Sequence, residues 1–62
     1  MKYRFSVSYV NKEGEDRILY FDTKKEAVAK AEYLIAQFGY EVNVYKELFG
    51  QRVEEIEVSV SL

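Results

Sequence analysis

The feature that most constrains this fold is one amphipathic helix in the middle of the chain, with a marked start and a marked end. Thr23 and Glu26 have the spacing of a capping box, in which each residue satisfies a free backbone N–H of the other. Gly39 stands where a left-handed C-terminal cap favours glycine. A helix over 24–38 is predicted, and the strands on both sides must fold onto it. Its apolar face comprises Ala27, Val28, Ala31, Leu34, Ile35 and Phe38.

The residues before this helix predict an antiparallel pair of strands. Residues 2–10 alternate apolar and polar side chains, which is typical of a strand with one face in water. A loop containing Gly14 follows, and residues 17–21 return as the second strand. Either alternating set of that strand could face inward. We expect Leu19 and Phe21 to do so, because Phe21 leads directly under the helix.

The residues after the helix predict a second hairpin. Residues 40–47 alternate again, residues 48–51 form the turn, and residues 53–62 make the last strand. Val53 interrupts the alternation of this last strand. It therefore predicts either a bulge or a late strand start near Glu54.

These elements predict an α+β domain over residues 1–62, in the order ββαββ, with one helix packed on one face of a four-stranded sheet. The first and last strands are the longest predicted, so we expect them side by side at the centre. That gives the sheet order 2-1-4-3 with parallel central strands. The corresponding register sets Lys2 beside Glu55 and Arg4 beside Glu57, pairs that cross-strand electrostatics favours.

The composition argues against several kinds of function. The 62 residues include no cysteine and no histidine, so disulfides, thiolate zinc sites and histidine bases are excluded. A formal net charge of −2 argues against a general nucleic-acid binder. No apolar run is as long as a membrane span, and no signal peptide is visible, so we expect a cytoplasmic protein.

Carboxylates offer the densest cluster of chemically useful groups. Glu55 and Glu57 share a face of the last strand, beside Glu54, where paired carboxylates could share a proton or a metal ion. We favour a solubilising role opposite Lys2 and Arg4, because perturbing their pKa requires burial that an open sheet face does not give. The serines have no base near them. We therefore predict no enzyme activity, no metal and no cofactor.

Without catalysis, a metal or a cofactor, the protein is expected to function through contacts made by its surface. One helix covers one sheet face, so the other face is either plain solvated sheet or a surface for a partner protein or a second copy. The predicted outer strands, two and three, also offer free edges. The apolar pair Leu48 and Phe49 either makes contacts at the hairpin tip or folds back over the core. We predict a small protein-interaction module, with homodimerisation possible in principle and no role for a membrane or small molecule. The expected contact residues are Arg4, Tyr20, Tyr45, Phe49 and Glu57.

Two resemblances add to this interpretation. The run YRFSVSYVNKEGEDRILYFDTKKEA, residues 3–27, resembles the arm-site DNA-binding domain of phage-type tyrosine integrases, whose sheet face lies in the DNA major groove. That resemblance implies an alternative function, sheet-mediated DNA binding with Lys2, Arg4 and Arg17 on phosphates. The whole layout is similar to small bacterial and phage ββαββ domains of unknown function. This second resemblance implies a phage or mobile-element accessory protein and no particular activity.

Overall fold

Four strands and one helix follow one another in the order ββαββ in a computed structural model, which describes residues 2–58. All four strands belong to one antiparallel sheet, in the order β2-β1-β3-β4. The α+β class and the element order are thus confirmed. The elements are β1 (Arg4–Val10), β2 (Asp16–Phe21), α1 (Lys24–Phe38), β3 (Val42–Leu48) and β4 (Gln51–Ile56).

Helix α1 begins and ends at the predicted residues. The Thr23 hydroxyl accepts a hydrogen bond from the backbone N–H of Glu26 at 3.2 Å. The same hydroxyl donates to the Glu26 carboxylate at 2.9 Å, so this carboxylate bonds the Thr23 side chain where we expected it to bond the Thr23 N–H. Gly39 ends the helix with φ of 69°, and its N–H donates to the Ile35 carbonyl at 2.9 Å.

The core lies between α1 and the inner face of the sheet. Ala27 and Ala31 are fully buried, and their small side chains allow the sheet to approach the helix closely. Leu19 and Phe21 of β2 pack against the same core, which confirms the predicted facing of that strand. No helix among the described residues is long and apolar enough to cross a membrane. The buried apolar residues are Val7, Ala27, Ala31, Leu34, Val44 and Ile56.

The predicted strand order was wrong. β3 lies beside β1 and antiparallel to it, so the sheet has no parallel centre and β4 is an outer strand. The two longest strands do lie at the centre, but they are β1 and β3, with seven residues each. This arrangement buries Val44 opposite Val7, so both central strands contribute to the core.

The predicted register fails with the strand order. Arg4 faces Glu47 of β3, and the predicted pairs of Arg4 with Glu57 and of Lys2 with Glu55 cannot form, because β3 separates β1 from β4. Strand β4 ends at Ile56, where we predicted a strand over 53–62. The rest of that prediction, residues 59–62, lies outside the described residues.

The second hairpin is tighter than predicted. Leu48 pairs with Gln51, which leaves a two-residue turn of Phe49 and Gly50 in place of a four-residue turn. Both turn residues have positive φ, 53° and 77°, as a type I′ turn requires.

Strand β4 carries the predicted irregularity at Val53. The register pairs Lys46 with Glu54 and Glu47 with Arg52, which leaves Val53 as an extra residue. This arrangement is a bulge, and the alternative of a late strand start is excluded because β4 begins at Gln51.

Candidate interaction surface

The sheet face opposite α1 is the candidate functional surface. Within residues 2–58, α1 is the element that packs on the sheet, and it contacts the inner side of β1, β2 and β3. The strand registers bring one set of side chains together on the opposite side, which we call the open face. The open face comprises Arg4, Ser6, Ser8, Val10, Asp16, Ile18, Tyr20, Asn43, Tyr45, Glu47, Arg52 and Glu55.

Two arginine–tyrosine stacks dominate the open face. The Cζ atom of Arg4 lies 3.9 Å from the ring centroid of Tyr20, and Cζ of Arg52 lies 4.1 Å from that of Tyr45. A cation–π contact of this kind stabilises an exposed pair by about 0.5–1 kcal/mol. The stacks restrict four long side chains before any partner arrives, which reduces the entropy lost on binding.

A buried carboxylate lies between the two arginines. Glu47 faces Arg4 on β1 and Arg52 on β4, and only 7% of its surface is exposed. Its Oε1 accepts a hydrogen bond from Arg4 at 3.5 Å. The negative charge allows two guanidinium groups to share one end of the face. The Arg4 side chain is still 50% exposed, so its outer N–H groups face solvent.

Ser6 forms the floor between the two tyrosines. In the sheet register it faces Tyr20 on one side and Tyr45 on the other, and it is 1% exposed. Its Oγ has no hydrogen-bond partner among the described residues. A buried hydroxyl without a partner destabilises a fold by about 1–3 kcal/mol. The small side chain leaves space for the two rings beside it.

The structure gathers three of the five predicted contact residues and separates the other two. Arg4, Tyr20 and Tyr45 belong to the stacked cluster. Phe49 stands at the tip of the β3–β4 turn and is 88% exposed, so the alternative that it folds back over the core was wrong. Glu57 follows β4 at the opposite end of that strand, where it lines an open groove of about 340 Å³.

Sequence reasoning missed the contributions of Arg52 and Glu47. The alternation over residues 40–47 puts Glu47 on the outward side of its strand, as observed, but does not predict its burial. Arg52 was assigned no role, because a four-residue turn at 48–51 left it outside a strand. A two-residue turn ending in glycine is the signal that would have extended the last strand back to Gln51 and so placed Arg52 inside it.

A second aromatic group lies away from the open face. The Tyr40 ring stacks on Tyr9 at 5.6 Å and on Phe38 at 5.0 Å, and Phe38 meets Tyr33 edge-on. Phe38 was expected to fill the core, yet it is 48% exposed and packs sideways on Tyr40. These rings pack on one another, yet Tyr33 and Phe38 are still about half exposed.

The basic residues named for DNA contact do not form one surface. Arg17 lies on the same side of β2 as Leu19 and Phe21, whereas Arg4 lies on the open face. Arg17 also forms an ion pair with Glu15 at 3.2 Å. Within residues 2–58, no group of three or more carboxylates is placed to hold a metal ion.

No family model, curated protein or solved structure matches this chain. The resemblances drawn from the sequence, to the integrase arm-site domain and to small phage domains, therefore stay predictions.

Proposed function

We propose that this chain is a non-catalytic protein-interaction module and that its contact surface is the open face. The observation that carries the proposal is the pair of arginine–tyrosine stacks around the buried Glu47. Tyrosine and arginine are enriched among the residues that dominate binding energy at protein interfaces. A plain solvated sheet has no need to hold these side chains in one arrangement.

The arrangement also indicates how a partner is recognised. The exposed edges of the guanidinium groups present N–H donors in a plane, which suits a carboxylate of the partner. The rings of Tyr20 and Tyr45, with Ile18 beside Tyr20 on β2, supply apolar area next to those donors. The face therefore combines a polar anchor with an adjoining apolar patch.

Strand addition at the β4 edge is a weaker explanation of binding. The bulge at Val53 and the neighbouring charges, Arg52, Glu54 and Glu55, are devices that discourage edge-to-edge pairing. We therefore assign the contact to the face in preference to the β4 edge.

The test uses a photo-crosslinking phenylalanine analogue in place of Tyr20, expressed in the full chain in its source cells. Tyr33 provides a matched control, because it is the same residue type, is 50% exposed against 49% for Tyr20, and lies on α1. We expect discrete cross-linked protein species from position 20 and none of those species from position 33.

A double variant, Arg4→Lys with Arg52→Lys, keeps the charge but removes the planar stacks. We expect it to reduce the yield of the species cross-linked from position 20. Equal labelling from positions 20 and 33, or no discrete species from position 20, would reject the open face as the contact surface. Labelling from position 33 alone would assign contact to the aromatic group on α1.

A further inference from the structure

Phe49 occupies a backbone conformation that its side chain disfavours. It is the first residue of the type I′ turn, with φ of 53°, and among the described residues it is the one non-glycine with positive φ. Asparagine, aspartate and glycine suit this position, whereas a bulky residue there is a conformational outlier. An Asn-Gly turn would connect β3 to β4 with less strain than the Phe-Gly turn present.

Most of the apolar surface of the Phe49 side chain is also exposed to solvent. It is 88% exposed, more than any other large apolar side chain described. Neighbouring Leu48 is partly buried, so the chain does direct one apolar residue of this hairpin inward. Backbone strain and exposure are two separate penalties, and Phe49 is not one of the described residues that pack against the core. Retained strain of this kind is a pointer to function.

The exposed charge beside this tip is positive on the open-face side. The turn leads from Glu47 to Arg52, and Arg4 faces Glu47 from the next strand. Because Glu47 is buried, Arg4 and Arg52 are the exposed charges nearest the tip on that side, and exposed Glu55 lies further along β4, opposite Tyr45. Lys46 and Glu54 face each other on the other side of the sheet, so they do not change the sign of the open-face side.

We infer that Phe49 is an anchor that inserts into an apolar pocket of a different protein, whose rim carries carboxylates that meet Arg4 and Arg52. This inference rests on the proposed function, since it takes the open face as part of the same contact. A protruding aromatic side chain that fills a partner's pocket, beside arginines, is the usual composition of an interface hot spot.

A second copy of this chain is a less favourable binding partner for the Phe49 ring than a different protein. A two-fold contact through the tip would bring the Arg4 and Arg52 pairs of both copies together. Two grooves among the described residues, of about 340 and 470 Å³, are open and lined mostly by polar surface. A lipid surface is also disfavoured, because one ring and two arginines on a chain of net charge −2 give little membrane affinity.

The test compares Phe49→Asn with the parent chain in two measurements that should move in opposite directions. Because Asn-Gly suits the turn, we expect the melting temperature to rise, by about 5 °C for a domain of this size. The cross-linking analogue at position 49 identifies the partner in the source cells. With that partner purified, we expect Phe49→Asn to weaken Kd about 30-fold and Phe49→Leu to weaken it much less.

Lys12→Asn introduces the same residue into the exposed turn of the other hairpin; it is the control and should leave Kd unchanged. The anchor is rejected if Phe49→Asn leaves Kd unchanged or lowers the melting temperature, or if position 49 yields no discrete species. A cross-link between two copies would replace the partner protein with self-association. Phe49-dependent binding to vesicles of 3:1 phosphatidylcholine and phosphatidylglycerol (about 25% anionic lipid) would show that the partner is a lipid surface and not a protein.

The anchor and the proposed function can fail separately. If position 20 still yields the discrete species while Phe49→Asn binds normally, the open face stands and the anchor falls. If position 49 yields a discrete species and position 20 does not, the open face falls and the anchor is left as a contact in its own right.

Discussion

Ser6 is a residue whose position between two tyrosines on the open face lowers the stability of the fold. It lies between Tyr20 and Tyr45 in the sheet, nearly without exposure, and its hydroxyl finds no partner among residues 2–58. In the sequence, Ser6 resembles the other polar residues of its strand. Its burial arises because the two stacks cover the position from both sides, so no local pattern reveals it.

We expect Ser6→Ala to raise the free energy of unfolding by about 1 kcal/mol, because it removes a buried hydroxyl that has lost its bond to water. Urea denaturation followed by circular dichroism measures the change. Ser8→Ala is the control, since Ser8 is on the same face of β1 but less buried, and it should have little effect. A loss of stability in Ser6→Ala would mean that the hydroxyl is hydrogen-bonded in solution.

At the scale of elements, α1 is specified almost entirely by neighbours in the sequence. The Thr23 hydroxyl bonds the N–H of Glu26, and the Gly39 N–H bonds the carbonyl of Ile35, so both ends are fixed by residues three or four positions apart. This explains why its bounds could be predicted. The turn between β3 and β4 was predicted to be longer than it is, because Phe49–Gly50 lacks the asparagine or aspartate that typically marks a two-residue type I′ turn.

Removing the N-terminal cap tests this interpretation of the helix. We expect Thr23→Ala to lower the free energy of unfolding by about 1 kcal/mol, since the N–H of Glu26 loses its acceptor. Thr23→Asp should retain most of the stability, because aspartate is also a good cap and favours the positive end of the helix dipole. Thermal melts of the three proteins distinguish these outcomes. Equal losses in both variants would show that the cap does not limit stability.

At the scale of the whole molecule, the order of the strands decides which side chains share the open face. With β3 beside β1, Glu47 lies between Arg4 and Arg52, and Tyr20 and Tyr45 flank Ser6. With the order predicted from the sequence, Glu57 would have taken the place of Glu47. The composition of the candidate surface is therefore a consequence of topology.

Methyl contacts measured by nuclear magnetic resonance test this topology directly. Val7 faces Val44 in the β1–β3 register, and both are buried, so we expect a strong nuclear Overhauser effect between their methyl groups. The predicted order with parallel central strands would place Val58 beside Phe5 instead. A strong effect between Phe5 and Val58, with none between Val7 and Val44, would overturn the described sheet.

The distribution of charge over the molecule leads to a prediction about DNA. Arg4 and Arg17 lie on opposite sides of the sheet, each is paired with a glutamate, and the net charge is −2. We expect no shift of random duplex DNA in a gel at about 50 mM salt, where electrostatic affinity is high. A shift that weakens as salt is raised would favour the DNA-binding alternative over the protein-interaction module.

The sequence by itself determined the helix and its caps, the presence of four strands and an irregularity at Val53, whereas the inward facing of Leu19 and Phe21 and the choice of a bulge at Val53 were settled by the folded structure. The former features depend on periodicity and on hydrogen bonds between close neighbours, which act before the chain is folded. Only the tertiary structure decided that β3 lies beside β1, that Glu47 is buried, and that Arg52 stacks on Tyr45. Those features depend on which distant strands pair best, and several pairings satisfy the same alternating pattern.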